Sequence, residues 1–439
     1  MIAKLSKKNI SSISKKILII IISLLIIINI ILFSLINTES FKSSDIDITK
    51  YFQETYINKK IASTPFFLKL VHFINNIYCP YLIIVIIFNF YTPYDCFILI
   101  NVLSFDYIII FCLKIFYKKP SYNTDKTKIF YCGYGWGFPS EECIIMVSLY
   151  LSLWRIVSKL KINYNHSQKL INNILLLLLI LLIFIYCFGI LLIGYYYLSH
   201  IVFSVLTGLI IYFILFETNL FNLLDGNEFI YFIKHKFIKY IIINLIIYIV
   251  LSIFYIIQKL NIDKDYEICN TIDNRKIFFK SGKNNSYIDG SYTFVILFLG
   301  NIFAIIGIKM DILLIYHGNS SNYLTFNFPQ EFDDIIDNRS RGSRASFSDS
   351  INITQETIWN KTHIFISFLR LIIVLLFYLL CFIPYFLIDL TSSYINIIFY
   401  IKFLLPTILI FMGIFFYFKP ILKLMKLTNF TLESILDDR

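Results

Sequence analysis

Apolar runs of about twenty residues, the length a helix needs to cross a bilayer core, recur along nearly the whole chain. The stretch ILIIIISLLIIINIILFSLI, residues 17–36, is one of them. In hydrocarbon every backbone N–H and C=O must find a partner inside the chain, so such a run has to be helical. Hydrophobic residues fill 58% of the 439 positions and charged ones only 15%, more apolar surface than a water-soluble core can hide. The chain is therefore read as an all-α, polytopic membrane helix bundle.

The same length rule places spans at Ile17–Ile36, Leu70–Phe90, Cys96–Phe116, Ser140–Ile156 and Ile171–Leu192. Five more follow at Ser199–Phe216, Tyr240–Ile257, Phe294–Ile315, Ile364–Ile388 and Ile395–Phe418. About ten spans result, with edges blurred by Lys69, Lys309, Asp311 and Arg370. Lys4, Lys7, Lys8, Lys15 and Lys16 precede the first span without an acid among them, so it is expected to act as a signal anchor with a cytosolic N-terminus. Lys419, Lys423 and Lys426 flank the last span, which puts the C-terminus on the same side.

Residues 1–16 and 420–439 are thus expected to be cytosolic tails, and 17–217 a compact six-span core. A surface segment and two spans fill 218–316, and spans nine and ten fill 363–419. Between them, 317–362 is rich in Ser, Asn and Asp and is expected to be disordered; Arg341 and Arg344 ahead of Ser346 suit a basic-directed kinase. Asn284 opens a sequon in a loop expected to be lumenal, and Cys132 and Cys269 both fall in loops expected on that side, where a disulfide can form. The lysine excess has no interleaved aromatic patch, so nucleic acid is not an expected partner. The eight cysteines have neither a C-x-x-C pair nor His/Cys metal spacing; no metal and no cofactor is expected.

Three polar clusters interrupt the apolar helices on one expected side of the membrane. LKIFYKKPSY brings Lys114, Lys118, Lys119 and Pro120 to the end of span three. WGFPSEECII brings Ser140, Glu141 and Glu142 to the start of span four. IGYYYLSHIVFSVLTG brings His200 and Ser204 to the start of span six. The loop between the first two holds four lysines, Lys118, Lys119, Lys126 and Lys128, against Asp125, which suits a phosphate or lipid headgroups. An ionisable side chain at membrane depth, such as His200, is a functional hypothesis by default, with a simple interhelical hydrogen bond as the structural alternative. Ser140 is a favourable helix N-cap, and acids in a first turn suit the helix dipole.

Together these clusters resemble the type-2 phosphatidic acid phosphatase superfamily of membrane lipid phosphatases, whose motifs are K-x6-R-P, P-S-G-H and S-R-x5-H-x3-D. GWGFPSEE looks like that family's YGFPSGH, and LSHIVFSVLTG looks like its GxHxxxDxxAG. The likeness runs from Lys114 to Gly208, and the extra spans behind the core look most like the sphingosine-1-phosphate phosphatase branch. The resemblance implies that His200 is the nucleophile, forming a phosphohistidine with a lipid phosphate. It implies that Lys114, Lys119 and Ser140 bind the phosphate; Ser204, one helical turn beyond His200, is expected from that spacing to bring its hydroxyl to the histidine in a supporting role.

The family pattern is broken in named places. Glu142 stands where a general-acid histidine is expected, Gly194 where an arginine is, and Ser204 where an aspartate is. Lys114 also lies two residues closer to Pro120 than the motif asks. As a catalytic acid, Glu142 would need to be protonated, and a neighbouring carboxylate favours that. Two readings stand on these residues: a divergent lipid phosphate phosphatase of the endoplasmic reticulum, or an inactive relative that binds lipid or acts as a scaffold. A lipid transporter or scramblase is a third, drawn from Lys309, Asp311, Arg370 and Lys402.

Overall fold

The computed structural model describes residues 2–57, 78–90, 93–117, 131–132, 138–159, 166–193, 196–217, 237–260, 279–280, 364–383 and 395–414, with single positions near 302, 306, 418, 421 and 425. Ten helices carry these residues: α1 (Ile2–Ile36), α2 (Glu39–Ile57), α3 (Tyr78–Phe90), α4 (Pro93–Tyr117), α5 (Glu141–Lys159), α6 (His166–Ile193), α7 (Leu198–Tyr212), α8 (Phe237–Leu260), α9 (Ile364–Cys381) and α10 (Ile395–Met412). α7 continues as a π turn, Phe213–Glu217. A two-residue parallel pairing, Tyr131 with Phe279 and Cys132 with Lys280, is the other regular element described.

Among the described residues, three helical segments are long and apolar enough to cross a membrane: Lys16–Ile36, Asn172–Leu192 and Leu198–Phe216. They coincide, to within a residue at each end, with the first, fifth and sixth expected spans. α1 and α6 leave large side chains such as Ile20, Ile30, Leu177 and Phe184 exposed, as a lipid-facing surface requires.

The segment after the first span is not a plain connection. It folds as α2, whose polar residues Asp45, Thr49 and Gln53 recur every four positions and are buried. That spacing puts them on one face of the helix. Most of the eighth expected span, the 317–362 loop with Ser346, Asn284, Cys269 and the ends of several spans lie outside the described residues.

Two compact units divide the chain. The first comprises Met1–Pro80, Ile98–Phe298 and Ser392–Tyr400; the second comprises Tyr81–Phe97, Leu299–Thr391 and Ile401–Arg439. In the first, α5 and α7 share the most extensive packing, and α1, α2 and α6 surround them. Gly208 makes that packing tight: a Cβ there would lie 2.8 Å from the carbonyl oxygen of Ile144 and 2.8 Å from Cβ of Val147. Small residues allow helix backbones to approach in just this way in lipid. Asn29 of α1 donates to the Thr207 hydroxyl of α7 at 3.1 Å, and buried Ser148 of α5 donates to buried Asp106 of α4. In the second unit, Tyr81 stacks edge-on against Phe411 at 5.4 Å and accepts from the Thr407 hydroxyl at 3.1 Å. Of the five cysteines whose side chains are described, Cys96, Cys143, Cys187 and Cys381 are buried.

Candidate functional site

The N-terminal ends of α5 and α7 meet, and most of the residues singled out by sequence lie there. Pro139 cannot donate a backbone hydrogen bond, so the chain enters α5 with Ser140 at the N-cap. The Ser140 hydroxyl accepts from the Cys143 N–H at 3.4 Å, the bond that a capping serine supplies. It also donates to Oε2 of Glu142 at 3.1 Å.

The Ser140 N–H donates across to the Ser204 hydroxyl at 2.8 Å. Ser204 in turn donates to the His200 carbonyl oxygen at 2.7 Å. Its hydroxyl therefore bonds the backbone of His200, one turn earlier, and links α7 to the start of α5. The serine thereby ties two helices together.

His200 is buried between aromatic rings. Phe138 meets the imidazole edge-on with ring centres 4.7 Å apart, and Tyr197 does so at 5.3 Å. Phe138 belongs to an apolar cluster with Ile36 of α1 and Phe203 of α7, to which Leu113 and Tyr117 of α4 add their side chains. The wall beside the imidazole is therefore built by three helices and the turn before α5.

Both glutamates are engaged. Glu141 accepts from Lys114 of α4 at 2.6 Å, with the two side chains 25% and 11% exposed respectively. Glu142 accepts from the Tyr196 hydroxyl at 2.8 Å as well as from Ser140. A carboxylate thus sits on the lysine and another on the serine that the resemblance assigns to phosphate. Ser140, Glu142, His200, Ser204 and Lys114 are brought into one linked cluster. Lys119 and Gly194 lie outside the described residues.

Three contributors are not among the residues singled out by sequence. Tyr196 stands inside a run of three tyrosines and is distinguishable only by its contact. Phe138 precedes a proline and packs on the histidine. Asp45 lies in α2, far away in sequence, and accepts from both the backbone N–H (3.2 Å) and the hydroxyl of Ser199. Burial pushes the Asp45 carboxyl above its ordinary range, and the Ser199 bonds work against that shift. The four-residue recurrence of Asp45, Thr49 and Gln53 is the pattern that could have marked this face.

No curated protein and no solved structure matches the chain at a significant level. The segment that contains Lys114, Ser140, Glu142, His200 and Ser204 does have a counterpart: residues 95–222 match the family model of the PAP2 superfamily. The part of the chain that builds this site is therefore PAP2-like, set among helices able to cross a membrane.

Proposed function

We propose that this protein is a divergent lipid phosphate phosphatase-like protein of an internal membrane, with the endoplasmic reticulum as its site and both termini cytosolic. About ten spans carry it, six of them forming the phosphatase-like core. Its ligand is a lipid phosphate monoester, with sphingosine-1-phosphate or a close relative as the candidate. The observation that carries the reading is the linkage of Ser140, Ser204, Glu142 and Lys114 at the helix ends beside buried His200, within the PAP2-like segment.

In the proposed reaction a His200 ring nitrogen attacks phosphorus, and the bond to the lipid oxygen breaks. Glu142, if protonated, gives its proton to the departing alkoxide. Water then attacks the phosphohistidine, releasing inorganic phosphate and restoring the imidazole. Such a route splits one difficult displacement into two easier ones. Lys114 and Lys119 supply positive charge, and the start of α5 supplies helix-terminal N–H groups. The clamping arginine is replaced by Gly194, for which a lysine substitutes only as a point charge.

The engaged glutamates work against a bound phosphate. An ionised carboxylate about 4 Å from a phosphate oxygen costs on the order of 4 kcal/mol at an effective dielectric near 20. Lys114 must also leave Glu141, or share it, to meet a ligand. Turnover is therefore expected to be slow. The same contacts favour a second reading, in which the site binds lipid phosphate without hydrolysing it.

Purified protein in detergent, assayed for binding of sphingosine-1-phosphate and for phosphate release beside His200→Ala, separates the readings. Slow release that disappears in the variant supports the phosphatase. Binding with release equal in both proteins supports the inactive relative. Failure to bind any lipid phosphate removes both. Glycosylation at Asn284 tests the topology, since the scheme requires that residue in the lumen.

A further inference from the structure

The helix that presents His200 is not capped by its own sequence. Tyr197 occupies the N-cap of α7 in an extended conformation, φ −77° and ψ 160°, and makes no side-chain capping bond. Leu198, Ser199 and His200 then form the first turn. An N-cap side chain ordinarily accepts from the second or third helical N–H. Here the second one, Ser199, gives its N–H to Oδ1 of Asp45 in α2, and its hydroxyl goes to Oδ2 of the same carboxylate.

α2 holds the other side of the turn too. Gln53, two helical turns beyond Asp45, donates its side-chain amide to the carbonyl oxygen of Leu192 at 3.4 Å. Leu192 lies at the end of α6, where carbonyls lack partners within the helix. Thr49, between them, donates to the Asp45 carbonyl at 2.8 Å and keeps the face closed. One face of α2 therefore ties the end of α6 to the start of α7.

A second, apolar route runs alongside. Ile46, next to Asp45, packs with Tyr197 as a buried pair. Tyr197 is one of the rings that meet the His200 imidazole. Phe52 adds an edge-on contact with Phe188 of α6 at 5.8 Å.

We infer that Asp45 is a positioning residue for His200, capping α7 from α2 so that the imidazole is held against Phe138 and Tyr197. This rests on the reading of His200 as the reacting group, but its geometry can be tested without turnover. A carboxylate on the first turn also favours the helix dipole, and the bond to the Ser199 hydroxyl fixes the carboxylate's orientation. A small displacement of a reacting group costs far more rate than binding.

The experiment compares full-length wild type with Asp45→Ala, Asp45→Asn and Ser199→Ala. His200 modification by diethyl pyrocarbonate is followed by mass spectrometry, and kcat and KM are measured on sphingosine-1-phosphate. Asp45→Ala should raise the rate of His200 modification and lower kcat by about tenfold, with KM within about twofold. Asp45→Asn keeps an oxygen for the Ser199 N–H and should recover most of both. Ser199→Ala, which removes only the hydroxyl bond and retains the backbone one, should show a smaller change and serves where Asp45→Ala fails to fold. If the wild type shows no turnover, the phosphatase reading fails while the modification rates still decide the role of Asp45. Unchanged His200 reactivity in Asp45→Ala, or Asp45→Asn behaving as badly as Asp45→Ala, would overturn the assignment.

Discussion

Lys114 and Arg370 are both buried cations, and the protein meets them in opposite ways. Lys114, in the first unit, is given an anion: Glu141 at 2.6 Å. Arg370, 1% exposed in the second unit, is given neutral oxygens by Asn89. Its Nε donates to the side-chain oxygen at 2.9 Å, and one terminal nitrogen donates to the backbone carbonyl at 2.7 Å. The rigid guanidinium fork fits two acceptors on one residue near the end of α3, a geometry no ammonium reproduces. That contact is architecture. The lysine contact is different in kind, because a point charge on a flexible stem can exchange one anion for another. A site that handles phosphate would need such a cation, and Glu141 is the anion this one meets.

The contrast is broken most severely at Arg370. Asn89→Leu takes away the side-chain acceptor of a buried guanidinium and should cost about 2–3 kcal/mol of stability, read as a lowered midpoint of thermal unfolding in detergent. A variant as stable as wild type would show that the Asn89 contact does not hold the second unit together. Next in size is the release of Lys114. Glu141→Gln should tighten binding of sphingosine-1-phosphate by about tenfold, roughly 1.4 kcal/mol, as measured by competition in mixed micelles. Unchanged or weaker binding would mean that Lys114 is not a ligand for the phosphate.

A double-mutant cycle sharpens the comparison further. Lys114→Met and Glu141→Leu, singly and together, should give a coupling of about 1 kcal/mol, since the pair is partly exposed and its Coulomb gain is screened. The smallest effect belongs to Lys50 and Glu54 on α2, 3.9 Å apart and about half exposed. Glu54→Gln should change stability by no more than about 0.5 kcal/mol, and a larger loss would mean that α2 docks through its outer face as well.

The membrane helices were the legible part of this fold because hydrocarbon thickness imposes a length on them. The membrane-crossing segments Lys16–Ile36, Asn172–Leu192 and Leu198–Phe216 follow the apolar runs to within a residue at each end. α2 was not legible. It is an amphipathic helix with no long apolar run, and its buried face is polar, so it reads as a connection until its partners are known.

The site divides in a similar way. Ser140, Glu142 and His200 stand out locally because each interrupts an apolar helix near its start. The pairing of Asp45 with Ser199 joins residues 154 positions apart, and Lys114 with Glu141 joins residues 27 apart. Neither spacing belongs to a helical or strand period. Ser204 shows the limit most clearly: its place one turn beyond His200 suggested a contact with that residue, but only packing shows that the contact is to the backbone carbonyl and that the same hydroxyl accepts from the Ser140 N–H. Resemblance locates a residue; only packing says which atoms it meets.

The absent side chain of Gly208 has a mechanical consequence. Gly208 lies one turn below Ser204, and Ile144, whose carbonyl it nearly touches, lies one turn below Ser140. The two helices are therefore gauged against each other at a point just beneath the bond that joins Ser140 to Ser204. A methyl group at position 208 would act as a wedge under a short lever, parting the helix starts above it. The spacing of the two helix starts beside His200 is thus set by a hydrogen atom two turns along α7 from that histidine.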